Sequence, residues 1–291
     1  MSTDTASALA KAELSLEGLS VGDAFGELFF SISPYHTSWA DLPAGPWRWT
    51  DDTHMALSIV EILKTYGYID QDALAQAFAR RFMQAPYRGY AGGAMLVLQQ
   101  IAAHADWRKA APALFENGSY GNGAAMRAAP IGGFFSTAPE QAAQQAQLSA
   151  VITHAHPEGQ AGAMAVAVAA ALAAQRLYLS GQQFLQGILP LVPESLTRQG
   201  IQRAIDIPPD DMRAASWKLG TGSKVSAQDT VPFCLWSAAH HLDNYEEALW
   251  WTAKGFGDCD TTCAIVGGIV ALSTGGVPAA WVEQREPLPS I

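Results

Sequence analysis

Apolar residues recur along most of the chain with a helical rather than an alternating spacing. In MALSIVEILKTYG the apolar positions follow the i, i+3, i+4, i+7 order of one helix face: Ala56, Ile59, Val60 and Leu63. Gly67 follows them and can end that helix. The same period runs through DALAQAFARRFMQ, GAMLVLQQIAAHADW, PEQAAQQAQLSAVITHA and YEEALWWTAKG. Alternating strand patterns with hairpin turns are scarce, so the pattern predicts an all-α protein.

The chain shows no internal repeat of solenoid length and no linker long enough to divide it. We therefore predict one compact domain over residues 1–291, with a short flexible N-terminus at about 1–10 and a C-terminal tail at about 283–291. The most apolar stretch, AGAMAVAVAAALAA, is 14 residues long, whereas a membrane span needs about 20. This stretch predicts a buried helix.

Composition and charge narrow the classes of function. Hydrophobic residues make up 49% and charged residues 15% of the chain, so a large buried core is expected. The net charge of −10 disfavours a nucleic-acid partner, which would require a basic surface. A small anionic ligand held by backbone N–H groups or by a cation stays possible. The N-terminal sequence lacks the basic and then apolar order of a signal peptide, so we expect a cytoplasmic protein with no membrane contact.

The cysteines do not indicate a disulfide framework or a zinc site. There are three of them, Cys234, Cys259 and Cys263, an odd and sparse set. Cys259 and Cys263 have neither a CxxC pair nor a nearby histidine to complete a zinc coordination shell. Any metal site in this chain is therefore expected to use oxygen ligands.

Hard oxygen donors are concentrated in two segments, WTDDT and GDCDTT: Thr50, Asp51, Asp52, Asp258, Asp260 and Thr261. The simplest interpretation is that each segment caps a helix, because Asp and Thr are favoured at helix N-termini. Capping uses only one or two oxygens, however, and four aspartates would repel each other if the two helix starts met. A cation between them would remove that cost. Carboxylate and hydroxyl oxygens suit Mg²⁺ or Mn²⁺, and four carboxylates balance two divalent ions.

A series of motifs resembles the ADP-ribosylglycohydrolase family between about Leu16 and Gly276. GLSVGDAFGE is similar to the family's opening GDAxG helix, WTDDTHM to its TDDT motif, and YRGYAGG to a glycine loop over the diphosphate. SYGNGAAMRAAPIG is similar to its GNGAAMR stretch, THAHPEG to its THxH-type segment, TVPFCLW to a late helix, and GDCDTTCAIVGGIVAL to its closing DxDT motif. Each motif alone is weak, but their order and spacing together are specific.

The resemblance implies a compact all-α domain with a binuclear magnesium centre in a cleft. By position, two Mg²⁺ ions (or Mn²⁺) would be held by Thr50, Asp51, Asp52, Asp258, Asp260 and Thr261. ADP-ribose would be bound by Gly92, Gly93, Ser119, Tyr120, Gly121, Asn122 and His154. Without the family resemblance, His154 would be interpreted as a histidine that only packs against its neighbours. Arg127 is interpreted as a structural arginine that pairs with an acid.

The implied reaction is hydrolysis of the glycosidic bond at the anomeric carbon of the ribose, through an oxocarbenium-like state. Metal ions would coordinate the ribose hydroxyls and the attacking water, and an aspartate would accept a proton from that water. We expect Asp51, Asp52 and Asp258 to be catalytic, with Asp51 and Asp52 as the candidates for metal ligand and base.

One position departs from the family pattern. Many members have a glutamate seven residues after the aspartate of GDAxG, whereas this chain has Phe30 seven residues after Asp23. Glu27 lies three residues before Phe30, about one helical turn away. It is either a replacement acid/base or an ordinary solvated charge. The departure leaves open both the linkage that is cleaved and the strength of the activity.

The leading hypothesis is a magnesium-dependent hydrolase that cleaves the N- or O-glycosidic bond between ADP-ribose and a modified protein side chain. One alternative is a weak or inactive family member that binds ADP-ribose or neutralises a toxin. A second alternative is a hydrolase that acts on a free ADP-ribosyl small molecule. A third is a protein with a purely structural role. The expected partner is an ADP-ribosylated protein or an ADP-ribosyl small molecule.

Overall fold

The computed structural model describes residues 3–177 and 180–291. Within these ranges the chain forms fifteen α-helices: α1 (Thr3–Glu27), α2 (Asp51–Tyr66), α3 (Gln71–Gln84), α4 (Gly92–Ala102), α5 (Trp107–Ala113), α6 (Ala129–Phe134), α7 (Pro139–Ala150), α8 (Pro157–Gln175), α9 (Gly181–Ile188), α10 (Leu196–Ala204), α11 (Met212–Leu219), α12 (Ala227–His240), α13 (Tyr245–Ala253), α14 (Cys259–Thr274) and α15 (Ala279–Gln284). Four short 3₁₀ segments lie between them: Leu28–Phe30, Trp39–Asp41, Asn122–Ala124 and Leu189–Leu191. The described residues contain two isolated β-bridges but no strand, which confirms the all-α prediction.

Helix α2 follows the pattern that predicted it. Its apolar face, which includes Ile59 and Leu63, is completely buried. The helix ends at Tyr66, and Gly67 adopts a left-handed conformation with φ of 77° while its N–H donates to the carbonyl of Leu63. The predicted helix and its glycine stop are therefore both present.

The alanine-rich stretch lies in α8, which runs through the interior of the domain. Almost every residue from 161 to 173 is buried, because small side chains let α8 pack closely against several neighbouring helices at once. Among the described helices, none has both the length and the hydropathy that a bilayer crossing requires.

Helices α1 and α14 pack backbone to backbone through a row of glycines spaced four residues apart. A Cβ atom added at Gly22 would lie 2.1 Å from the carbonyl oxygen of Cys263, and one added at Gly26 would lie 2.2 Å from that of Cys259. Gly267 on α14 approaches α1 in the same way, because its added Cβ would lie 2.4 Å from the carbonyl oxygen of Gly18. This close approach brings the end of α1 to the start of α14.

The first and last described segments of the chain pack on the domain. Residues 3–10, expected to belong to a flexible terminus, form the first turns of α1 in the structure, and Leu9 is buried. Beyond α15, Arg285 forms an isolated β-bridge with Trp47, and Glu286 pairs with Arg88 at 2.7 Å. The C-terminal tail is thereby held against the segment that leads into α2.

Candidate active site

The two segments rich in oxygen donors lie at the starts of α2 and α14. Thr50 and Asp258 occupy the two N-cap positions, but neither side chain accepts a capping hydrogen bond from its own helix. The Thr50 hydroxyl donates to Asp23 Oδ1 at 2.8 Å, and Asp258 Oδ2 accepts a hydrogen bond from Asn122 Nδ2 at 2.7 Å. Simple capping therefore does not explain these side chains.

Asp23, near the end of α1, is fully buried and is hydrogen-bonded to the segment at the start of α2. Its carboxylate accepts hydrogen bonds from the N–H of Thr50 at 2.9 Å and from the N–H of Thr53 at 3.1 Å, and also from both threonine hydroxyls. Sequence reasoning did not assign this residue to the site. The signal was present in GDAFG, where one carboxylate interrupts an apolar, glycine-spaced helix.

Three carboxylates from three different helices meet at this point. Asp23, Asp52 and Asp260 can each place an oxygen within 4.8 Å of the other two. Asp52 is 1% exposed, and its Oδ1 has no hydrogen-bond partner among the described residues. Because a buried carboxylate oxygen without a donor is costly, this arrangement fits a bound cation. The cluster could hold a metal ion through hard oxygen ligands.

The electrostatics of the cluster agree with that fit. Burial raises the pKa of Asp51 to about 8, and the neighbouring Asp23 adds to the increase. Burial also raises the pKa of Asp23 to about 6, against the effect of its hydrogen bonds from the two threonines. Burial, followed by the charges of Asp23 and Asp258 respectively, raises the pKa values of Asp52 and Asp260 well above the usual range. A positive ion at the cluster would oppose all four shifts.

A pocket of about 330 Å³ opens beside the carboxylates. Asp51, Asp52, Asp258, Asp260 and Thr261 all line it, so five of the six residues expected at the metals face the same space. The sixth, Thr50, lies behind them, where its hydroxyl is 3.1 Å from Asp52 Oδ2. The structure thus brings both oxygen-rich segments to one site.

The residues expected to bind ADP-ribose lie along the same pocket. Six of the seven line it: Gly93, Ser119, Tyr120, Gly121, Asn122 and His154. Gly92 begins α4 next to Gly93 but is not part of the lining. The pocket therefore runs from the acidic cluster to the glycine loop and to the segment of SYGN.

His154 is both buried and part of the pocket. Its Nδ1 lies 2.8 Å from the hydroxyl of Thr153, and burial lowers its pKa to about 3, with a further decrease from Arg127. A Cβ atom added at Gly121 or Gly123 would come within 3.2 Å of the Nε2 atom. These two glycines leave the neutral ring accessible from the pocket.

Arg127 lies in the protein interior and not in the wall of the pocket. It is completely buried outside the pocket lining and donates to the Ser149 carbonyl and the Thr153 hydroxyl, each at 3.0 Å. Its guanidinium carbon lies 4.3 Å from the centre of the Phe78 ring. The structural interpretation agrees with this position, although its hydrogen-bond partners are a carbonyl, a hydroxyl and the Met55 sulfur rather than an acid.

Phe30, at which the chain departs from the family pattern, and Glu27, the candidate replacement acid, do not line the pocket. Phe30 is 56% exposed. Glu27 is half-buried at the end of α1, and its pKa is raised by burial and by Asp258, while Arg48 opposes the increase. Glu27 is therefore neither a fully solvated charge nor a wall of the pocket.

Several lining residues were not predicted as site residues: Gly89, Phe115, Lys224 and Val225. Gly89 belongs to the YRGYAGG loop, and the last two follow the KLGTGS loop. Phe115 and Val225 have positive φ angles of 57° and 50°. The direction of these side chains depends on local backbone conformations that hydrophobic periodicity does not show.

Comparisons of the sequence with known proteins all indicate the same family. Residues 4–289 match the family model described as ADP-ribosylglycohydrolase. An uncharacterized protein of Archaeoglobus fulgidus is 30% identical over 281 residues, covering 91% of this chain and 88% of that protein. ADP-ribosylhydrolase ARH3 of Gallus gallus is 27% identical, covering 84% of this chain and 77% of that protein. ADP-ribosylarginine hydrolase Tri1 of Pseudomonas putida is 25% identical, covering 95% and 74%.

The fold also matches a solved structure. An ADP-ribosylglycohydrolase-related protein complex contains a chain that superposes with a TM-score of 0.68 and covers 97% of this chain and 94% of its own. The two sequences are 20% identical, so this likeness concerns the fold alone.

Proposed function

The chain belongs to the ADP-ribosylglycohydrolase family, and we propose that it is a metal-dependent hydrolase that removes ADP-ribose from a modified protein side chain. The observation that carries the proposal is the carboxylate cluster, in which Asp52 keeps a buried oxygen without a donor beside Asp23 and Asp260. The pocket that starts at this cluster has the glycine loop and His154 along its walls. It can therefore place a sugar at the acids and the rest of a nucleotide beyond them.

The residues present fit a pair of divalent ions. Thr50, Asp51, Asp52, Asp258, Asp260 and Thr261 would hold two Mg²⁺ or Mn²⁺ ions, since all six donors are hard oxygens. When bound, such ions supply positive charge that polarises sugar hydroxyls and lowers the pKa of a coordinated water. Asp23 would keep Thr50 in place, because the Thr50 hydroxyl and N–H both donate to its carboxylate.

The reaction breaks the bond between the anomeric carbon and the acceptor nitrogen or oxygen, and joins that carbon to a water oxygen. The water gives one proton to a carboxylate, and the acceptor atom leaves with a proton. We assign the first transfer to Asp51 or Asp52, because both line the pocket at the cluster. Asp258 is oriented for contact with the sugar by Asn122. No proton transfer is assigned to Glu27, which does not line the pocket.

The remaining residues of the pocket would bind the ADP part of the substrate. Gly92 and Gly93 place the start of α4 near the diphosphate, where backbone N–H groups favour an anion. Ser119, Tyr120, Gly121 and Asn122 form one wall, and the neutral ring of His154 lies close to that wall. The apolar lining residues Met55 and Met126 complete the space.

The acceptor is proposed to be a protein side chain with an N- or O-glycosidic linkage. One relative carries the name ADP-ribosylarginine hydrolase, and others carry the name ADP-ribosylhydrolase, so the names of the relatives favour removal of ADP-ribose but not a single linkage. Action in the cytoplasm, without a nucleic-acid or membrane partner, stays a prediction from the sequence.

The proposal is tested by measuring ADP-ribose release from proteins modified separately on arginine and on serine or threonine. Release from one of them with Mg²⁺, and its loss with EDTA, is the expected result. Asp52→Asn should abolish release, whereas Asp210→Asn, at an exposed position outside the pocket, should not change it. Binding of ADP-ribose without release from any substrate would contradict the hydrolase and favour a binding protein. Release only from a free ADP-ribosyl compound would contradict the protein substrate.

A further inference from the structure

Lys224 is the one lysine or arginine that lines the pocket among the described residues. Four aspartates face the same space: Asp51, Asp52, Asp258 and Asp260. His154 adds no positive charge at neutral pH, because burial lowers its pKa to about 3. Apart from ions held by the aspartates, Lys224 is therefore the single fixed cation that the described pocket lining offers to an anionic ligand.

The backbone around Lys224 is held in place by Asp229. The Lys224 N–H donates to Asp229 Oδ2 at 2.8 Å, and the Gly222 N–H donates to the Asp229 carbonyl at 2.9 Å. The Val225 N–H closes the loop by donating to the Gly222 carbonyl at 2.7 Å. Asp229 is 8% exposed, so these contacts are shielded from solvent. The lysine therefore projects from a defined loop.

This loop is attached to the pocket walls on both sides of Lys224. At one end the Asp258 N–H donates to the Thr221 carbonyl at 3.1 Å, next to the acidic cluster. At the other end the Ala227 N–H donates to the Tyr120 carbonyl at 2.9 Å, beside the SYGN wall. Lys224 lies between these two attachment points. A ligand that contacts both the acidic cluster and the SYGN wall would therefore be within the same pocket as Lys224.

The ammonium group of Lys224 is available for a ligand. The side chain is exposed at the pocket, and the described part of the chain offers it no ion-pair or hydrogen-bond partner. A lysine without an ion-pair partner can bind an anion at little cost, because no existing ion pair has to break.

We propose that the ammonium group of Lys224 binds the diphosphate of the ADP-ribosyl group and positions it between the acidic cluster and the SYGN wall. The assignment rests on the proposed function, which supplies the ligand. The diphosphate is an anion, and Lys224 is the one lysine or arginine among the described residues that lines the pocket, so its ammonium group can pair with that charge. Lys224 is thus a positioning residue, distinct from the residues expected at the metals.

The test is calorimetric titration of the full chain in Mg²⁺ with ADP-ribose, with ADP and with adenosine. Lys224→Met should weaken binding of ADP-ribose and ADP about tenfold and leave adenosine unchanged, since only the first two carry phosphate. Lys224→Arg should keep most of the affinity. Lys109→Met removes the same charge from an exposed lysine outside the pocket and should change nothing. Added salt should weaken ADP-ribose binding less in Lys224→Met than in the parent chain.

Unchanged ADP-ribose affinity in Lys224→Met would overturn the assignment. An equal loss of adenosine binding would overturn it too, because it would show an effect on pocket shape. If the parent chain binds ADP but releases no ADP-ribose from any protein, the proposed function fails while the Lys224 comparison still decides the assignment. If the parent chain binds neither ADP nor ADP-ribose, both fail.

Discussion

The hydroxyl of Thr50 donates to Asp23 Oδ1 at 2.8 Å, although Thr50 occupies the N-cap position of α2. The same carboxylate accepts the N–H of Thr53, which an N-cap side chain would normally accept. Asp23 therefore caps α2 from a different helix. Because Asp23 takes the capping role, the Thr50 hydroxyl points toward the acidic cluster. The geometry of the site therefore depends on a buried acid on α1.

Asp23→Asn should weaken Mg²⁺ binding by about tenfold or more and destabilise the fold by about 1–3 kcal/mol. The amide has one acceptor oxygen in place of two, and its NH₂ group would face backbone N–H donors. Calorimetric titration with Mg²⁺ and urea unfolding in EDTA measure the two effects separately. Asp210→Asn makes the same chemical change at an exposed position and is the control. Parental Mg²⁺ affinity in Asp23→Asn would contradict this role of Asp23.

The metal-free protein should lose stability as the pH rises from 6.5 to 8. Asp51 has a pKa of about 8 in the folded protein, compared with an ordinary value of 3.8. The folded state therefore keeps a proton that the unfolded state has already lost, so stability falls with rising pH until that proton dissociates near pH 8. His154, with its pKa lowered to about 3, has the opposite effect, but only below its ordinary value of 6.5. Thermal unfolding in EDTA at several pH values measures this fall.

Bound Mg²⁺ should remove that fall, because the ion favours the ionised carboxylates. Asp51→Asn in EDTA should reduce the slope, since the variant has one titrating carboxyl fewer in the cluster. The melting temperature is compared at each pH with Mg²⁺ and with EDTA. A melting temperature in EDTA that is constant or rises from pH 6.5 to 8 would contradict this prediction. It would show that ionisation of the cluster does not destabilise the folded protein.

Sequence periodicity predicted several of the helices but not the geometry of the site. The apolar spacing around Ile59 predicted α2, because a helix face depends on local order alone. The contact of Asp23 with Thr50 joins residues 27 positions apart, and no local pattern contains it. Family motifs predicted that both oxygen-rich segments meet. Lys224 was missed, because its place in the pocket depends on hydrogen bonds to Asp229 that are visible only in three dimensions.

Gly22→Ala should destabilise the protein by about 1–3 kcal/mol and weaken Mg²⁺ binding. The new Cβ would lie 2.1 Å from the Cys263 carbonyl, so α1 and α14 would have to move apart. That movement would separate Asp23 on α1 from Asp260 on α14. Urea unfolding and Mg²⁺ titration measure the two effects. Gly276→Ala is the matched control, because its Cβ would meet no atom within 4 Å. Equal stability of the two variants would contradict close packing at Gly22.

Glu27 and Asp51 differ in their access to the reacting groups. Glu27 is half-buried at the end of α1 and does not line the pocket. Asp51 lines the pocket, and its carboxylate lies near Gly89, where an added Cβ would be 3.2 Å from Asp51 Oδ1. A group that takes a proton from the attacking water has to reach it directly or through one water molecule. The structure gives that access to Asp51.

Asp51→Asn should therefore lower kcat by at least about a hundredfold, and Glu27→Gln by less than about fivefold. Both substitutions replace a carboxylate with an amide of the same size, so packing changes little, and Mg²⁺ titration of Asp51→Asn shows whether the loss comes from proton transfer or from a lost metal ligand. Steady-state release of ADP-ribose at saturating Mg²⁺ gives kcat, and circular dichroism checks the fold of each variant. Phe30→Glu restores an acid at the position where many family members have glutamate. If Glu27→Gln abolishes turnover while Mg²⁺ and ADP-ribose binding persist, Glu27 rather than Asp51 carries the proton.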